Sequence, residues 1–268
     1  MSDASDRVLM SVDARGVAAI TLNRPEVGNA YDGALIDAGL RAIDQLERHK
    51  GLRAIVIRGN GRHFQAGADL GWLDKVRSQS HADNVRASKS VAELMRRLNL
   101  SPVPTVALVQ GACFGGGTGL VASCDVVIGA EDARFSIAET RWGMIAGIII
   151  PQLNDAISVR QVRRYALTGE RFDAAEALRI GLLHQVVPLA ELESAGERVI
   201  DALLQNAPEA NAQTKLTALQ YAWSDLSELQ FNQLVEQHAA KRQSSEAAEG
   251  LASFHDKRQA SWYPDHSA

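Results

Sequence analysis

A run of closely spaced glycines constrains this chain more than any other stretch. It covers residues 111–119, follows the apolar segment Thr105–Val109 and leads directly into Leu120 and Val121. Glycine tolerates a positive φ and lets a ligand approach the backbone closely. A helix that begins in such a run presents unpaired N–H groups and the positive end of its dipole. The run therefore predicts a turn into a helix N-terminus that holds a phosphate, a transient oxyanion, or no ligand at all.

Composition narrows the class of protein. The 268 residues are 46% hydrophobic and 22% charged, which is typical of a globular chain, and the net charge of −4 argues against a nucleic-acid surface. Two cysteines in apolar surroundings fit a reducing compartment. The N-terminus does not resemble a signal peptide, and the apolar run at residues 145–150 is too short to span a bilayer. We expect a cytoplasmic protein with neither a nucleic-acid nor a membrane partner.

Hydrophobic periodicity predicts strands in the first half of the chain and helices in the second. The glycine at position 51 predicts the end of the first helix, and Asp173 with Glu176 forms a capping-box pattern before Gly181. A loose strand–strand–helix repeat in the first half suggests a coiled stack of such units. The segments so predicted are strands at residues 8–12, 17–22, 54–57, 105–109, 126–129 and 134–137, a helix at 32–50, and a helical region from 140 onward.

The glycine run does not match a nucleotide-binding motif. No Lys-Ser or Lys-Thr pair follows it, and it does not open the first strand–helix unit as a dinucleotide fingerprint should. A second glycine-containing loop, residues 64–70, also follows a predicted buried strand. Two such loops can place two N–H donors side by side, which is what a developing thioester enolate needs. The histidines show no metal-binding spacing, so we predict no metal site.

At this point the sequence resembles the crotonase (enoyl-CoA hydratase/isomerase) superfamily. The likeness extends over almost the whole chain, and the segments that carry it appear in order and at the expected spacing. They are Leu22-Asn23-Arg24-Pro25 with Asn29-Ala30, residues 64–70, Gly111 with Gly115-Gly116-Gly117, Cys124-Asp125, Phe135 with Glu139 and Gly143, residues 167–169, residues 174–182, and Glu249-Gly250 with Phe254, Lys257 and Arg258.

The resemblance implies an α/β fold and an oligomer. The fold would be a crotonase-like ββα spiral core over residues 1–190, followed by a helical C-terminal trimerisation region over residues 191–268. The partner would be an acyl-CoA thioester, with coenzyme A as part of the substrate and no separate cofactor. A homo-oligomer, either a trimer or a dimer of trimers, would be expected.

The resemblance also implies roles for particular residues. The backbone N–H groups of Ala68 and Gly116 correspond to the two oxyanion donors. The coenzyme A contacts correspond to Val27, to the segment from Ala66 through Asp69 to Leu70, and to Phe254 and Lys257, which in many members reach a neighbouring subunit. A lysine that commonly follows this segment is replaced by Gly71, so Arg24 or Lys75 would have to contact the phosphates.

The catalytic carboxylates depart from the common pattern. Many hydratases of this superfamily hold water between two glutamates, which would fall at positions 119 and 139. Here position 119 is a glycine, which by the resemblance would line the substrate site, and Glu139 alone would remain as the acid–base group. Three interpretations stay open: a hydratase, an isomerase that shuttles a proton with one carboxylate, and an acyl-CoA-binding protein without catalysis.

Within the superfamily the chain most resembles bacterial hydratases of 3-methylglutaconyl-CoA and isohexenylglutaconyl-CoA, from leucine and acyclic terpene catabolism. Shared features include the glycine run ending at Gly119 and the segment around Glu139 and Arg141. Arg141 is a candidate partner for the second carboxylate of such substrates. Residues 144–152 are rich in small and aliphatic side chains, which favours a roomy acyl pocket and the longer isohexenyl tail. His63 and Cys113 are expected to be structural.

Overall fold

The fold is α/β, as predicted, with a helical region at the C-terminal end. The computed structural model describes residues 7–222, 229 and 245–263. The strands are β1 (Val8–Val12), β2 (Val17–Leu22), β3 (Ala54–Gly59), β4 (Thr105–Val109), β5 (Ala112–Phe114), β6 (Val126–Ala130), β7 (Arg134–Ser136), β8 (Arg171–Asp173) and β9 (Gln185–Val187). The helices are α1 (Gly33–Glu47), α2 (Leu70–Arg77), α3 (His81–Asn99), α4 (Gly116–Ala122), α5 (Ile150–Thr168), α6 (Ala174–Ile180), α7 (Leu192–Leu204), α8 (Pro208–Gln220) and α9 (Ser245–His255).

Two sheets organise the core. The larger has six strands in the order β1-β2-β3-β4-β6-β9, and only β1 runs antiparallel to its neighbour. The smaller has three strands in the order β5-β7-β8. Because β4 continues almost directly into β5, the chain passes from the large sheet to the small one at the glycine run. The functional segments therefore lie at the edge where the parallel strands of the large sheet end.

Both faces of the large sheet are buried, which explains why its central strands are continuously apolar. In β3, Ile55 and Ile57 face a core formed with α1 and α3, whereas Ala54 and Val56 face a second core closed by α7. Along β4, Ala107 and Val109 join the first core, and Val106 and Leu108 join the second. Helix α7 therefore packs directly on the sheet. No helix in the described residues is long and apolar enough to cross a membrane.

Most predicted elements are confirmed, and two differ. The first helix ends at Glu47 instead of running to the glycine at 51, because its last turn closes at Arg48. The region after residue 140 was predicted as helical, but two short strands interrupt it: β8 pairs with β7, and β9 pairs with β6. The capping box is confirmed, since Asp173 accepts a hydrogen bond from the Glu176 N–H and Gly181 ends α6 with a positive φ.

Candidate active site

The two glycine loops are joined by short pieces of parallel pairing. Gln65 pairs with Cys113: its N–H donates to the Ala112 carbonyl at 3.0 Å, and its own carbonyl accepts from the Phe114 N–H at 2.9 Å. Beyond this bridge, Gly67 lies so close to the second loop that a Cβ there would be 3.3 Å from the Phe114 carbonyl oxygen. The convergence of the two loops that the sequence suggested is therefore present.

Each loop offers a free N–H at this junction. Gly116 is the first residue of α4, so its N–H has no partner inside the helix. Ala68 lies between Gly67 and Asp69, whose backbone groups both bond to Tyr31 and leave the Ala68 N–H outside that pairing. Within the described part of the chain, neither N–H has a hydrogen-bond acceptor. The pair can thus donate hydrogen bonds to a ligand oxygen.

The carboxyl group of Glu139 lies beside Gly115 in the glycine run. Strand β5 pairs in parallel with β7, with Phe114 opposite Ser136, and Glu139 follows three residues after that pair. Gly115 donates its N–H to the Ser136 carbonyl at 2.8 Å and has a φ of 50°. A Cβ on Gly115 would be 2.9 Å from Oε1 of Glu139, so the absent side chain makes the space that the carboxylate occupies.

The environment of Glu139 favours proton exchange. Its Oε2 is buried and has no hydrogen-bond partner among the described residues. Burial raises the pKa of this carboxyl above the ordinary glutamate value, and the residue's own backbone N–H partly offsets that rise. A carboxyl group with a raised pKa and a free oxygen can take a proton from a bound reactant and return it.

The position of a possible second carboxylate is filled by apolar side chains. A Cβ at Gly119 would be 2.3 Å from Cγ2 of Ile149 and 3.3 Å from Sδ of Met95. Ile149 is buried at the start of α5. A glutamate at position 119 would therefore require Ile149 to move.

Tyr31 is a residue of this site that the sequence analysis missed. Its ring lies against Gly116, where a Cβ would be 2.5 Å from Cε1 and 3.3 Å from the hydroxyl oxygen. Burial, together with the charge of Glu139, raises the pKa of Tyr31 to about 12, so the hydroxyl keeps its proton at neutral pH. The available signal was its place two residues after Asn29, at the end of a turn already identified by motif.

The expected coenzyme A contacts form an exposed rim beside the two loops. Val27 and Leu70 are 41% and 61% exposed, and the Ala66 N–H donates to the carbonyl of Gly28, next to Val27. Asp69 caps α2 by accepting from the Trp72 N–H, and this bond, followed by its pairing with Arg24, holds its pKa below the ordinary value. Arg24 reaches Asp69 at 3.1 Å and Asp32 at 3.5 Å, so its charge is already paired. This leaves Lys75, which is exposed on α2, as the other phosphate candidate.

Three further predicted residues belong to segments other than the two glycine loops. Arg141 is exposed, and its side chain crosses Gly169, where a Cβ would be 2.7 Å from Nε; in the described residues it forms no ion pair. Lys257 is exposed after α9, with no recorded contact to Ala68, Gly116 or Glu139. Phe254 falls on α9, but its side chain lies outside the described residues.

The remaining candidates have structural environments. His63 accepts the Ala112 N–H at Nδ1 over 3.0 Å, which ties the first loop to β5. Cys113 is fully buried, and burial raises the pKa of its thiol, so it is not a nucleophile at neutral pH. Across residues 7–222, 229 and 245–263 there is no cluster of three or more His, Cys, Asp or Glu side chains that could hold a metal ion.

Comparison with known proteins agrees with this geometry. The sequence profile of the enoyl-CoA hydratase/isomerase family matches residues 13–265. The mevalonyl-coenzyme A hydratase of Aspergillus fumigatus is 31% identical over 260 residues, which cover 96% of this chain and 94% of that protein. The mitochondrial Delta(3,5)-Delta(2,4)-dienoyl-CoA isomerase of Dictyostelium discoideum is 30% identical over 257 residues, with 92% and 87% covered.

A solved structure shows the same fold. The crystal structure of an enoyl-CoA hydratase from Shewanella pealeana superposes with a TM-score of 0.90 at 33% identity, covering 98% of this chain and 100% of the other. The similarity therefore extends over nearly the whole chain.

Proposed function

The chain belongs to the enoyl-CoA hydratase/isomerase family, and from this premise we propose that it is a hydratase of 3-branched glutaconyl-CoA thioesters. The isohexenylglutaconyl ester is the first candidate substrate, and the 3-methylglutaconyl ester is the second. The observation that carries the proposal is the arrangement around Gly115 and Gly116: a buried, unpaired Glu139 oxygen beside two N–H groups without acceptors.

The proposed reaction uses all of these groups. The thioester oxygen accepts hydrogen bonds from the Ala68 and Gly116 N–H groups. Glu139 takes a proton from water as the water oxygen bonds to C3, and the electrons of the C2–C3 double bond move into an enolate whose charge the two N–H groups stabilise. Glu139 then delivers this proton to C2 of the enolate. Loss of one such N–H donor typically lowers the rate by about 10²–10³-fold.

Two features support a branched acyl group with a second carboxylate. Arg141 is two residues from Glu139, is exposed, and has no carboxylate partner among the described ion pairs. The segment after it exposes an apolar surface, with Met144, Ile145 and Ile148 at 38%, 83% and 38% exposure. An arginine favours a carboxylate, and an adjacent apolar surface favours an aliphatic branch.

A substrate panel tests the proposal. Wild-type protein is assayed with crotonyl-CoA, 3-methylglutaconyl-CoA and isohexenylglutaconyl-CoA in H₂¹⁸O, and the products are analysed by mass spectrometry. We expect ¹⁸O in the products of both glutaconyl esters and the highest kcat/KM with the isohexenyl ester. Arg141→Gln should raise KM for the glutaconyl esters and leave KM for crotonyl-CoA unchanged. Equal KM effects on all three esters would exclude Arg141 as the carboxylate partner.

An isomerase is the second candidate, and one observation favours it. The side of the site at Gly119 is filled by Ile149 and Met95, so only one carboxylate is available to activate water. One carboxylate suffices to move a proton between carbons, and the Dictyostelium relative is named as an isomerase. This alternative predicts double-bond migration in a 3-enoyl-CoA with no ¹⁸O uptake. A non-catalytic acyl-CoA-binding protein would bind the esters and turn over none of them.

The proposal extends to assembly. Phe254 and Lys257 are proposed to contact the coenzyme A of a neighbouring copy in a trimer or a dimer of trimers. Multi-angle light scattering gives the oligomer mass. Mixing a Lys257→Ala chain with a Glu139→Gln chain then tests the shared site, because only mixed oligomers can combine an intact Glu139 with an intact Lys257 from a neighbour.

A further inference from the structure

Two adjacent glycines of the run are each covered by a side chain from another part of the molecule. Glu139 occupies the space beside Gly115, with Oε1 2.9 Å from the position of a Cβ. Tyr31 occupies the space beside Gly116, with its hydroxyl oxygen 3.3 Å from the position of a Cβ. Burial, and after it the charge of Glu139, raises the pKa of Tyr31. The carboxylate and the phenol thus flank the same two residues of the site.

The position of Tyr31 is fixed from several sides. Its N–H donates to the Gly67 carbonyl at 2.9 Å, and its carbonyl accepts from the Asp69 N–H at 2.8 Å. Its ring meets Trp72 edge-on, with the ring centres 5.7 Å apart. The preceding turn is held by Asn29, whose side chain bonds to the backbone of three residues, Arg24, Asn60 and His63. A ring held in this way presents its hydroxyl at a constant place.

The polar ends of both side chains are unpaired. Glu139 Oε2 is buried without a partner, and the Tyr31 hydroxyl has no hydrogen bond to any residue that the structure describes. A buried polar atom such as Glu139 Oε2 normally has a partner, and a ligand or water supplies it where the protein does not. Tyr31 is only partly buried, so its hydroxyl is open to the same water. Water between the two groups would satisfy both.

We propose that Tyr31 is the positioning residue for the nucleophilic water and does the holding that a second carboxylate would otherwise do. This rests on the proposed hydratase function. The water donates one hydrogen to Glu139 and the other to the Tyr31 hydroxyl oxygen, so its lone pair faces C3. The tyrosine keeps its own proton throughout, and the single proton that moves goes from water to Glu139 and then to C2.

The filled space at Gly119 explains why a second group is needed. Ile149 and Met95 close that side with apolar atoms, which offer water no hydrogen bond. A water held by Glu139 alone would keep its rotational freedom, and orientation is a large part of what an enzyme supplies to such a step. Tyr31 lies on the Gly116 side, where the absence of a Cβ leaves room for its ring.

The test is Tyr31→Phe, which removes the hydroxyl and keeps the ring that contacts Gly116 and Trp72. We expect kcat for hydration to fall by about tenfold, the loss typical of one hydrogen bond, with KM for the ester unchanged. Exchange of the C2 hydrogens of a saturated acyl-CoA with D₂O should continue at the wild-type rate, because it needs Glu139 and the two N–H donors but no oriented water. Tyr263→Phe, at the far C-terminal end of the described chain, is the matched control and should leave both rates unchanged.

Each other result overturns the assignment. Hydration by Tyr31→Phe within about twofold of wild type would show that the hydroxyl holds no essential water. Parallel loss of C2 exchange would show that the variant damages the N–H pair or Glu139 instead. If wild-type protein takes up no ¹⁸O from any ester, the hydratase proposal itself fails and the water-holding role fails with it; the first two results leave the hydratase proposal intact.

Discussion

Ile149 fills the space that a side chain at residue 119 would occupy: a Cβ on Gly119 would be 2.3 Å from its Cγ2 and 2.7 Å from its Cβ. The glycine and the isoleucine are therefore complementary. Gly119 has a helical backbone in α4, so its lack of a side chain serves close packing and not backbone freedom. The missing side chain at residue 119 and the buried aliphatic side chain of Ile149 are two parts of one arrangement.

This contact predicts a coupled pair of substitutions. Gly119→Ala should destabilise the protein by about 1–3 kcal/mol, the usual cost of overpacking a filled core. In an Ile149→Ala background, the same change should cost less, because Cγ2 is gone and only the Cβ at 2.7 Å remains opposite residue 119. Denaturant unfolding of the four proteins measures the coupling. Additive effects within about 0.5 kcal/mol would contradict the contact.

The resemblance to the superfamily pointed to Ala68, Gly116 and Glu139, because the segments that carry it lie beside the glycine turns. Tyr31 and Ile149 could not be predicted in the same way. An aromatic after a turn and an isoleucine in an aliphatic segment are both ordinary core residues, and only their packing on Gly116 and Gly119 gives them a place in the site. Strand β8 was missed because three residues give no periodicity.

Glu139→Gln should abolish most of the hydration activity. An amide cannot take the proton of water, and loss of a general base typically lowers the rate by about 10²–10⁴-fold. Binding of a saturated acyl-CoA, measured by calorimetry, should be unchanged because the two N–H donors remain. Glu131→Gln, an exposed glutamate in the same part of the chain, is the control and should retain full activity. Turnover by Glu139→Gln near the wild-type level would exclude the proposed acid–base role.

The pH dependence of kcat/KM should reflect the raised pKa of Glu139. The carboxylate must be ionised to accept the proton, so the rate should fall as the pH decreases through its pKa. Because burial raises that pKa, the acidic limb of the profile should lie above the ordinary value of 4.5. A limb at or below 4.5 would show that the carboxyl is not desolvated in the active protein.

Glu139→Gln should also stabilise the folded protein at neutral pH. A carboxyl whose pKa is raised by folding carries no penalty below the unfolded pKa, because it is protonated in both states. As the pH rises from that value through the folded pKa, the unfolded state ionises more readily and stability is lost. Glu139→Gln should therefore raise Tm at pH 8, and the gain should shrink toward pH 4.5. Glu131→Gln should leave Tm nearly unchanged at both pH values. A gain for Glu139→Gln that is larger at pH 4.5 than at pH 8 would show that folding does not raise the pKa of Glu139.

Ser158 offers a stabilising change away from the site. It interrupts α5 with φ 67° and ψ 153°, a conformation adopted almost only by glycine and costly by about 1–3 kcal/mol for other residues. Ser158→Gly should relieve this strain, although glycine loses more backbone entropy on folding and so offsets part of the gain. The net stabilisation should be about 1 kcal/mol, which raises Tm by about 2 °C. Ser88→Gly is the matched control, since Ser88 is an exposed serine in the regular helix α3 and glycine there should lower Tm. Equal losses of Tm in the two variants would show that the backbone at Ser158 is not strained.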